Sequence, residues 1–196
     1  MYAPRVTLLV PLKPLAEAKS RLRGAVPDHE DLVLALARAT VRAALAADGV
    51  AGVLVVTRDP VAAAALRECG AGIADDDGRD LNDALRRAAA AVEGPVAALP
   101  ADLPALRPVE LAQALAAARG RRAFVPDADG VGTVLLVAAP GAALDPRFGT
   151  ASAAAHERTG AIRLAGRWPT LRRDVDTADD LAVVRGWGLL RAAATA

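Results

Sequence analysis

A single cysteine, Cys69, leaves this 196-residue chain unable to form an internal disulfide or a cysteine metal site, and it fits a reducing compartment. Alone, it reads as a small buried hydrophobe. Aromatic residues supply only 3% of the chain, and the formal net charge is +1, so the overall balance draws it neither to nucleic acid nor to a membrane surface. No uncharged apolar run approaches the roughly 18 residues of a membrane span, and the start carries no basic region ahead of a long apolar one. No signal peptide is read there, and the expected address is the cytoplasm. The P-loop pattern GxxxxGK[ST], the dinucleotide fingerprint GxGxxG, HExxH and a Ser/His/Asp arrangement are all missing, which disfavours P-loop kinases, dinucleotide dehydrogenases, zinc hydrolases and triad hydrolases.

What the chain does have is 54% hydrophobic residues, much of it alanine, against about 45–50% in ordinary globular chains. Alanine-rich helices packed closely on a sheet have this composition. The length, without linker, repeat or low-complexity break, predicts one domain over 1–196 with one core.

Val6 to Val10 is a β-branched and leucine run of the kind found in strands buried on both faces. A cationic loop with Lys13, Lys19, Ser20 and Arg21 follows it directly. Pro27-Asp28-His29-Glu30 starts a helix reaching about Ala47, Val53 to Val56 is a strand, and Asp59-Pro60 opens a helix to Glu68. Ile73-Ala74 is a short strand, and Asp75-Asp76-Asp77-Gly78 reads as a solvated turn, because it lacks the alternation and distal glutamate of a calcium loop. An alanine-rich helix runs from Leu81 to Val92, a strand from Val96 to Leu99, and a helix from Pro108 to Arg119. Up to this point β and α alternate, which predicts a doubly wound parallel sheet.

The second half departs from that rhythm. Ala123 to Val125 and Thr133 to Ala138 flank a tight Asp/Gly turn, which predicts an antiparallel pair. A helix carrying His156, a strand at Ile162 to Leu164 and a last helix from Ala178 to about Leu190 complete a mixed, mostly parallel sheet with helices on both faces.

Asp102 follows the Val96–Leu99 strand between two prolines, where α/β enzymes keep metal or ribose ligands, although the residue taken alone also suits a turn or the cap of the next helix. Asp174 and Asp176 are two apart, so on an extended segment both carboxylates face one way, while Asp176 or Thr177 also suits the cap of the last helix. Gly149-Thr150-Ala151-Ser152 precedes a helix and offers either an anion site or a serine cap. Gly132-Thr133 gives close backbone approach plus a hydroxyl, and His156, on a mostly apolar helix, reads as a packing histidine. A phosphate-suited loop opposed by separated aspartates is the pairing that phosphoryl or nucleotidyl transfer needs, since magnesium takes oxygen ligands while lysine and arginine neutralise phosphate charge.

Six stretches in order, VPLKPLAEAKSRL (Val10–Leu22), DLNDAL (Asp80–Leu85), LPADLP (Leu99–Pro104), DADGVGTVLL (Asp127–Leu136), FGTASAAAH (Phe148–His156) and DVDTADDL (Asp174–Leu181), resemble the guanylyltransferases of deazaflavin coenzyme F-420 biosynthesis. The resemblance implies a three-layer Rossmann-like fold of the GT-A nucleotidyltransferase type. It implies transfer of GMP from GTP to phosphoenolpyruvate, with 2-phospho-L-lactate as the alternative acceptor, giving enolpyruvyl-2-diphospho-5'-guanosine and diphosphate. Lys13, Lys19 and Arg21 would grip the triphosphate, the loop before Leu81 and Asn82 would receive guanine, and Asp102, Asp174 and Asp176 would hold Mg2+. Thr133, Gly149 and Ser152 would hold the acceptor acid, and Val134 departs from relatives that place asparagine there. A homodimer and a hand-over of the product to a downstream transferase are compatible with this reading. The rivals are molybdopterin or sugar-phosphate nucleotidyltransferases, whose first loop is glycine-rich where Pro11-Leu12-Lys13-Pro14-Leu15 has no glycine, and a non-catalytic nucleotide-binding regulator.

Overall fold

Strands arise mostly on short apolar segments, the longer ones rich in valine and leucine. In the computed structural model, which describes residues 5–22 and 28–187, these are Val6–Pro11 (β1), Val50–Val56 (β2), Gly72–Ala74 (β3), Val96–Ala98 (β4), Ala123–Pro126 (β5), Thr133–Val137 (β6) and Ile162–Arg163 (β7). They form one sheet in the order β3-β2-β1-β4-β6-β5-β7. β1 runs parallel to β2 and to β4, β2 to β3, and β5 to β7, while β6 is antiparallel to both of its neighbours. The expected antiparallel pair is therefore the one reversal in an otherwise parallel sheet among the described strands.

The helices among the described residues are His29–Leu45 (α1), Pro60–Arg67 (α2), Leu81–Ala90 (α3), Pro108–Ala118 (α4), Ser152–Arg158 (α5) and Ala178–Gly186 (α6), with a 3-10 turn at Ser20–Leu22. Their apolar residues recur at helical spacing. On α1 the buried set is Val33, Leu36, Ala37, Thr40, Val41 and Ala44, a stripe at i, i+3, i+4, i+7 and i+8 that faces the sheet. Side chains alternate across β1, so Leu8 and Val10 join a core layer with α1, α2 and α4, whereas Leu9 joins the opposite layer with α3 and α5. Fully buried alanines, among them Ala37, Ala44, Ala62 and Ala114, let the helices lie close to the sheet. The result is the expected three-layer α/β arrangement. A third cluster, Leu22, Leu36, Ala105, Val175, Leu181 and Val184, seats α6 and the segment before it against the loop after β4.

Some boundaries differ from the sequence reading. β2 begins at Val50 rather than Val53, because pairing with β1 from Val6 onward overrides the weak strand preference of Ala51 and Gly52. α3 stops at Ala90, four residues before Gly94, which takes φ +97°. The helix-start residue Pro27 and the expected end of the last helix at Leu190 lie outside the described residues.

The order of the sheet creates the site. From β1 the chain goes outward to β2 and β3, then returns to β4 on the other side, so the loops after β1 and β4 diverge and leave a crevice at their carboxyl ends. The loop after β1 is pinned by Leu12, Leu15 and Ala18, all buried, and by Asp59. That carboxylate accepts the N–H of Leu15 at 2.8 Å while capping α2 through the N–H groups of Val61 and Ala62. Asp59→Ala removes a cap and a loop anchor together. It is expected to lower stability by about 1–2 kcal/mol, read as a lower urea midpoint at unchanged slope, with Asp59→Asn losing less because it keeps an acceptor.

Candidate active site

The crevice opens into a cleft of about 900 Å3, within the usual range for small-molecule sites. Its walls come from the loop after β1 (Lys13, Lys19 and Arg21), the loop before α3 (Asp76, Gly78, Arg79, Asp80 and Leu81), and the opposing Asp102, Gly149 and Asp176.

Asp102 sits at the centre because β4 delivers it there and a buried threonine holds its backbone. Thr40 on α1 donates its hydroxyl to the Leu36 carbonyl at 2.9 Å, lies 3.1 Å from the Ala101 carbonyl, and accepts the N–H of Leu103 at 2.9 Å. The Asp174–Asp176 segment is then hung on the same loop, since the N–H of Val175 donates to the Asp102 carbonyl at 3.1 Å and its side chain is fully buried in the third core cluster. With Val175 turned inward, Asp176 reaches the cleft wall and Asp174 lies beside it in the carboxylate cluster. One carboxylate oxygen from each of Asp102, Asp174 and Asp176 lies within 4.8 Å of the others.

So many like charges demand compensation. Burial, and then the neighbouring Asp102 and Asp176, push the Asp174 carboxyl up to about 7. Lys19 supplies a cation, its ammonium bonded to both Asp102 and Asp176. Burial alone would weaken the Lys19 charge, but the two aspartates outweigh it and push its pKa up to about 12. Asp102 Oδ1 nevertheless stays buried and without a hydrogen-bond partner among the described residues. An orphaned oxygen beside two further carboxylates is a donor set suited to a hard divalent cation.

Lys19 reaches this position from a backbone in the left-handed region, φ +50°, uncommon for a residue with a side chain. The ring of His29 secures it by donating from Nε2 to the Lys19 carbonyl at 3.0 Å. Lys13 and Arg21 stand exposed on the same wall.

The loop before α3 is fixed as tightly. A Cβ on Gly78 would meet the Ala84 backbone nitrogen at 2.4 Å, so only glycine lets the loop lie on the helix end. Asp80 caps α3 by accepting the N–H of Asp83, and the buried Asp83 accepts the N–H of Arg79 at 3.1 Å and the Arg87 guanidinium. The Arg79 N–H in particular, with the surrounding arginines, lowers the Asp83 pKa to about 2. Asn82 turns away from the cleft and holds Phe148 twice, donating to its carbonyl at 3.0 Å and accepting its N–H at 2.8 Å.

That clamp leads to the last part of the site. Thr133, Ser152 and His156 are buried together behind Gly149, which lies on the cleft wall with φ +132°. Thr133 Oγ1 lies 2.9 Å from His156 Nδ1, and His156 Nε2 accepts the N–H of Arg147 at 2.9 Å. The ring packs edge-on to Phe148 and tilted to Phe124. Ser152 is the first helical residue and not the cap. The cap position is Ala151, in the left-handed region and without a side-chain bond to the helix. Asp102 is likewise no helix cap, that position on α4 being Arg107, and Thr177 with Asp180 forms the capping box of α6. Asp176 is therefore free of capping duty.

Of the residues singled out from the sequence, Lys13, Lys19, Arg21, Leu81, Asp102, Gly149 and Asp176 share the cleft wall, with Asp174 joined through the carboxylate cluster. Asn82, Thr133 and Ser152 stand behind that wall. Sequence reading missed Thr40, His29, Asp59 and Asp83 as supports. Only Thr40 carried a signal, as a polar residue within the apolar stripe of α1.

A family model described as guanylyl transferase CofC like matches residues 6–165. The phosphoenolpyruvate guanylyltransferase of Salinispora arenicola is 57% identical over 190 residues, covering 93% of this chain and 89% of that protein. The phosphoenolpyruvate guanylyltransferase of Streptomyces coelicolor is 51% identical over 202 residues, covering 97% and 95%. Among solved structures, a nucleotidyl transferase from Methanothermobacter thermautotroptrophicus aligns with TM-score 0.63 at 18% identity, covering 94% of this chain and 98% of that one. A cytidylyltransferase from Leptospira borgpetersenii aligns with TM-score 0.64 at 14% identity, covering 97% and 89%. These structural likenesses establish the Rossmann-like nucleotidyltransferase fold.

Burial, and then the Arg122 charge, lower the His156 pKa to about 4, so the folded protein resists a proton that the unfolded chain takes up near 6.5. Between those values the unfolded chain binds more protons, and stability falls as pH falls through this window. The wild-type protein is expected to lose about 2 kcal/mol from this source between about pH 7 and pH 4.5. His156→Phe lacks that acid limb, so the difference between the two urea midpoints should shrink with acidity. A parallel decline in both proteins would contradict this.

Proposed function

This chain belongs to the guanylyl transferase CofC-like family, and from that premise we propose that it transfers GMP from GTP to phosphoenolpyruvate and releases diphosphate. The observation that carries this reading is the set of three carboxylates, Asp102, Asp174 and Asp176, facing a cationic loop across a cleft of nucleotide size.

A phosphate oxygen of the acceptor attacks the α-phosphorus of GTP, the bond to the β-bridging oxygen breaks, and diphosphate leaves with the electron pair. An acceptor phosphate is already ionised near neutral pH, its second pKa being about 6, so no protein base is needed to generate the nucleophile. Catalysis can rest on positioning and charge neutralisation, in keeping with a histidine held neutral away from the cleft wall. Lys13, Lys19 and Arg21 grip the triphosphate and take up charge as diphosphate leaves. The loop from Asp76 to Leu81 receives guanine, and Asn82 holds the 148 loop in register with it. On the acceptor side Gly149 lies on the cleft wall, and Thr133 and Ser152, buried next to it, are assigned to the phosphate and carboxylate of the acceptor.

Asp102, Asp174 and Asp176 would hold Mg2+, whose chemistry there is to neutralise and orient the triphosphate oxygens. Lys19, bonded to two of these carboxylates, is the side chain that passes from carboxylate to phosphate as the site fills. The chain acts as one nucleotidyltransferase domain over 1–196. No described helix is long and apolar enough to cross a membrane, and a cytoplasmic setting suits GTP and phosphoenolpyruvate.

With magnesium and GTP, the purified protein is expected to release diphosphate when phosphoenolpyruvate is added, and to do so far less with 2-phospho-L-lactate, with 3-phosphoglycerate, or with ATP in place of GTP. No diphosphate with any acceptor would overturn the reading. Asp102→Asn is expected to cut turnover at least about 100-fold with the fold intact by circular dichroism. Near-normal turnover in that variant would put the cation elsewhere.

A further inference from the structure

The two ring nitrogens of His156 connect Thr133 to the loop that carries Gly149. Nε2 faces the backbone N–H of Arg147 at 2.9 Å. A backbone N–H can only donate, so Nε2 must be an unprotonated acceptor. Nδ1 faces Thr133 Oγ1 at 2.9 Å, and a neutral imidazole carries one ring proton. The imidazole therefore carries its proton on Nδ1.

Nδ1 has no lone pair to offer, so the threonine hydroxyl cannot spend its own proton on the ring. No other hydrogen bond to that hydroxyl occurs among the described residues. The O–H is thus left as a donor, which is the polarity an anionic acceptor requires. The opposite tautomer would turn the hydroxyl proton back to Nδ1 and present a lone pair to the anion, while setting Nε2–H against Arg147 N–H. The same ring holds residue 147, two positions before Gly149, so one side chain sets both the hydroxyl and the loop.

We propose that His156 is a positioning residue for the acceptor: through its Nδ1–H tautomer it makes Thr133 an obligate hydrogen-bond donor to the acceptor's phosphate or carboxylate. This rests on the reading of Thr133 and Gly149 as acceptor contacts. It predicts an effect confined to the acceptor, because the ring touches none of the residues placed around the triphosphate or guanine.

Two measurements test it. Two-bond 1H–15N correlation spectra of the folded protein should give His156, assigned by its loss in His156→Asn, as the Nδ1–H tautomer at neutral pH. An Nε2–H or doubly protonated ring overturns the proposal whatever the substrate. Steady-state kinetics then separate KM for phosphoenolpyruvate from KM for GTP. His156→Phe, which fills the ring space without polar atoms, should raise KM for phosphoenolpyruvate about 10- to 30-fold and leave KM for GTP within about 2-fold. His156→Asn, whose amide places a donor near the Nδ1 position, should recover most of that loss. In a Thr133→Val background His156→Phe should add less than about 2-fold. Equal effects on both KM values, no rescue by asparagine, or fully additive losses would show a packing role and overturn the proposal. A protein with the Nδ1–H tautomer that releases no diphosphate would refute the functional reading, and the role of Thr133 with it.

Discussion

Three carboxylates cannot stand within a few ångströms of one another without a cation, and that constraint organises this molecule. Asp102, Asp174 and Asp176 meet within 4.8 Å, Lys19 is bonded to two of them, and Asp174 holds its proton to about 7. Much of the surrounding structure maintains this unfavourable crowding. Thr40 holds the Asp102 loop from below, the Val175 N–H ties the second acidic segment to the Asp102 carbonyl, and the left-handed turn at Lys19, braced by His29, brings the ammonium across. Buried side chains pin each of these segments, so the carboxylates have no easy way to separate.

Away from the charges, the cleft is shaped by neutral polar clamps. Asn82 holds the backbone of residue 148 through its donor and its acceptor, and His156 accepts the backbone N–H of residue 147 while its other ring nitrogen meets Thr133. Such fixed contacts keep Gly149 and Thr133 in place without adding charge to a region proposed to bind an anion. Lys19, Asp102, Asp174 and Asp176 therefore concentrate where the triphosphate is proposed to lie, while the neutral side chains of Asn82, Thr133 and His156 hold the side assigned to the acceptor.

The sheet was legible in the sequence because its strands are written locally, as in the apolar run of Val6 to Val10 and the Asp/Gly turn before Thr133, and the alternation of Asp174, Val175 and Asp176 outside the sheet sends both carboxylates one way. The cleft residues were legible for a related reason, since the carboxyl ends of β1 and β4 follow directly from strand order. The supports were not. Thr40 acts 61 to 63 residues away, Asn82 acts 66 residues away, and His156 reads Thr133 across 23 residues. Nothing local marks an asparagine as a backbone clamp. Ser152 suits either a helix cap or an anion site from the sequence, and only the backbone shows that a left-handed Ala151 holds the cap position.

The proposed cation site is tested most directly by titrating the protein with Mn2+, a paramagnetic stand-in for a hard divalent ion, and following free metal by electron paramagnetic resonance. If the carboxylates form the site and Lys19 is its resident cation, the wild-type chain binds one Mn2+, Lys19→Met binds it more tightly, and Asp174→Asn loses it. Indistinguishable binding by all three proteins would contradict the assignment of this cluster as the cation site.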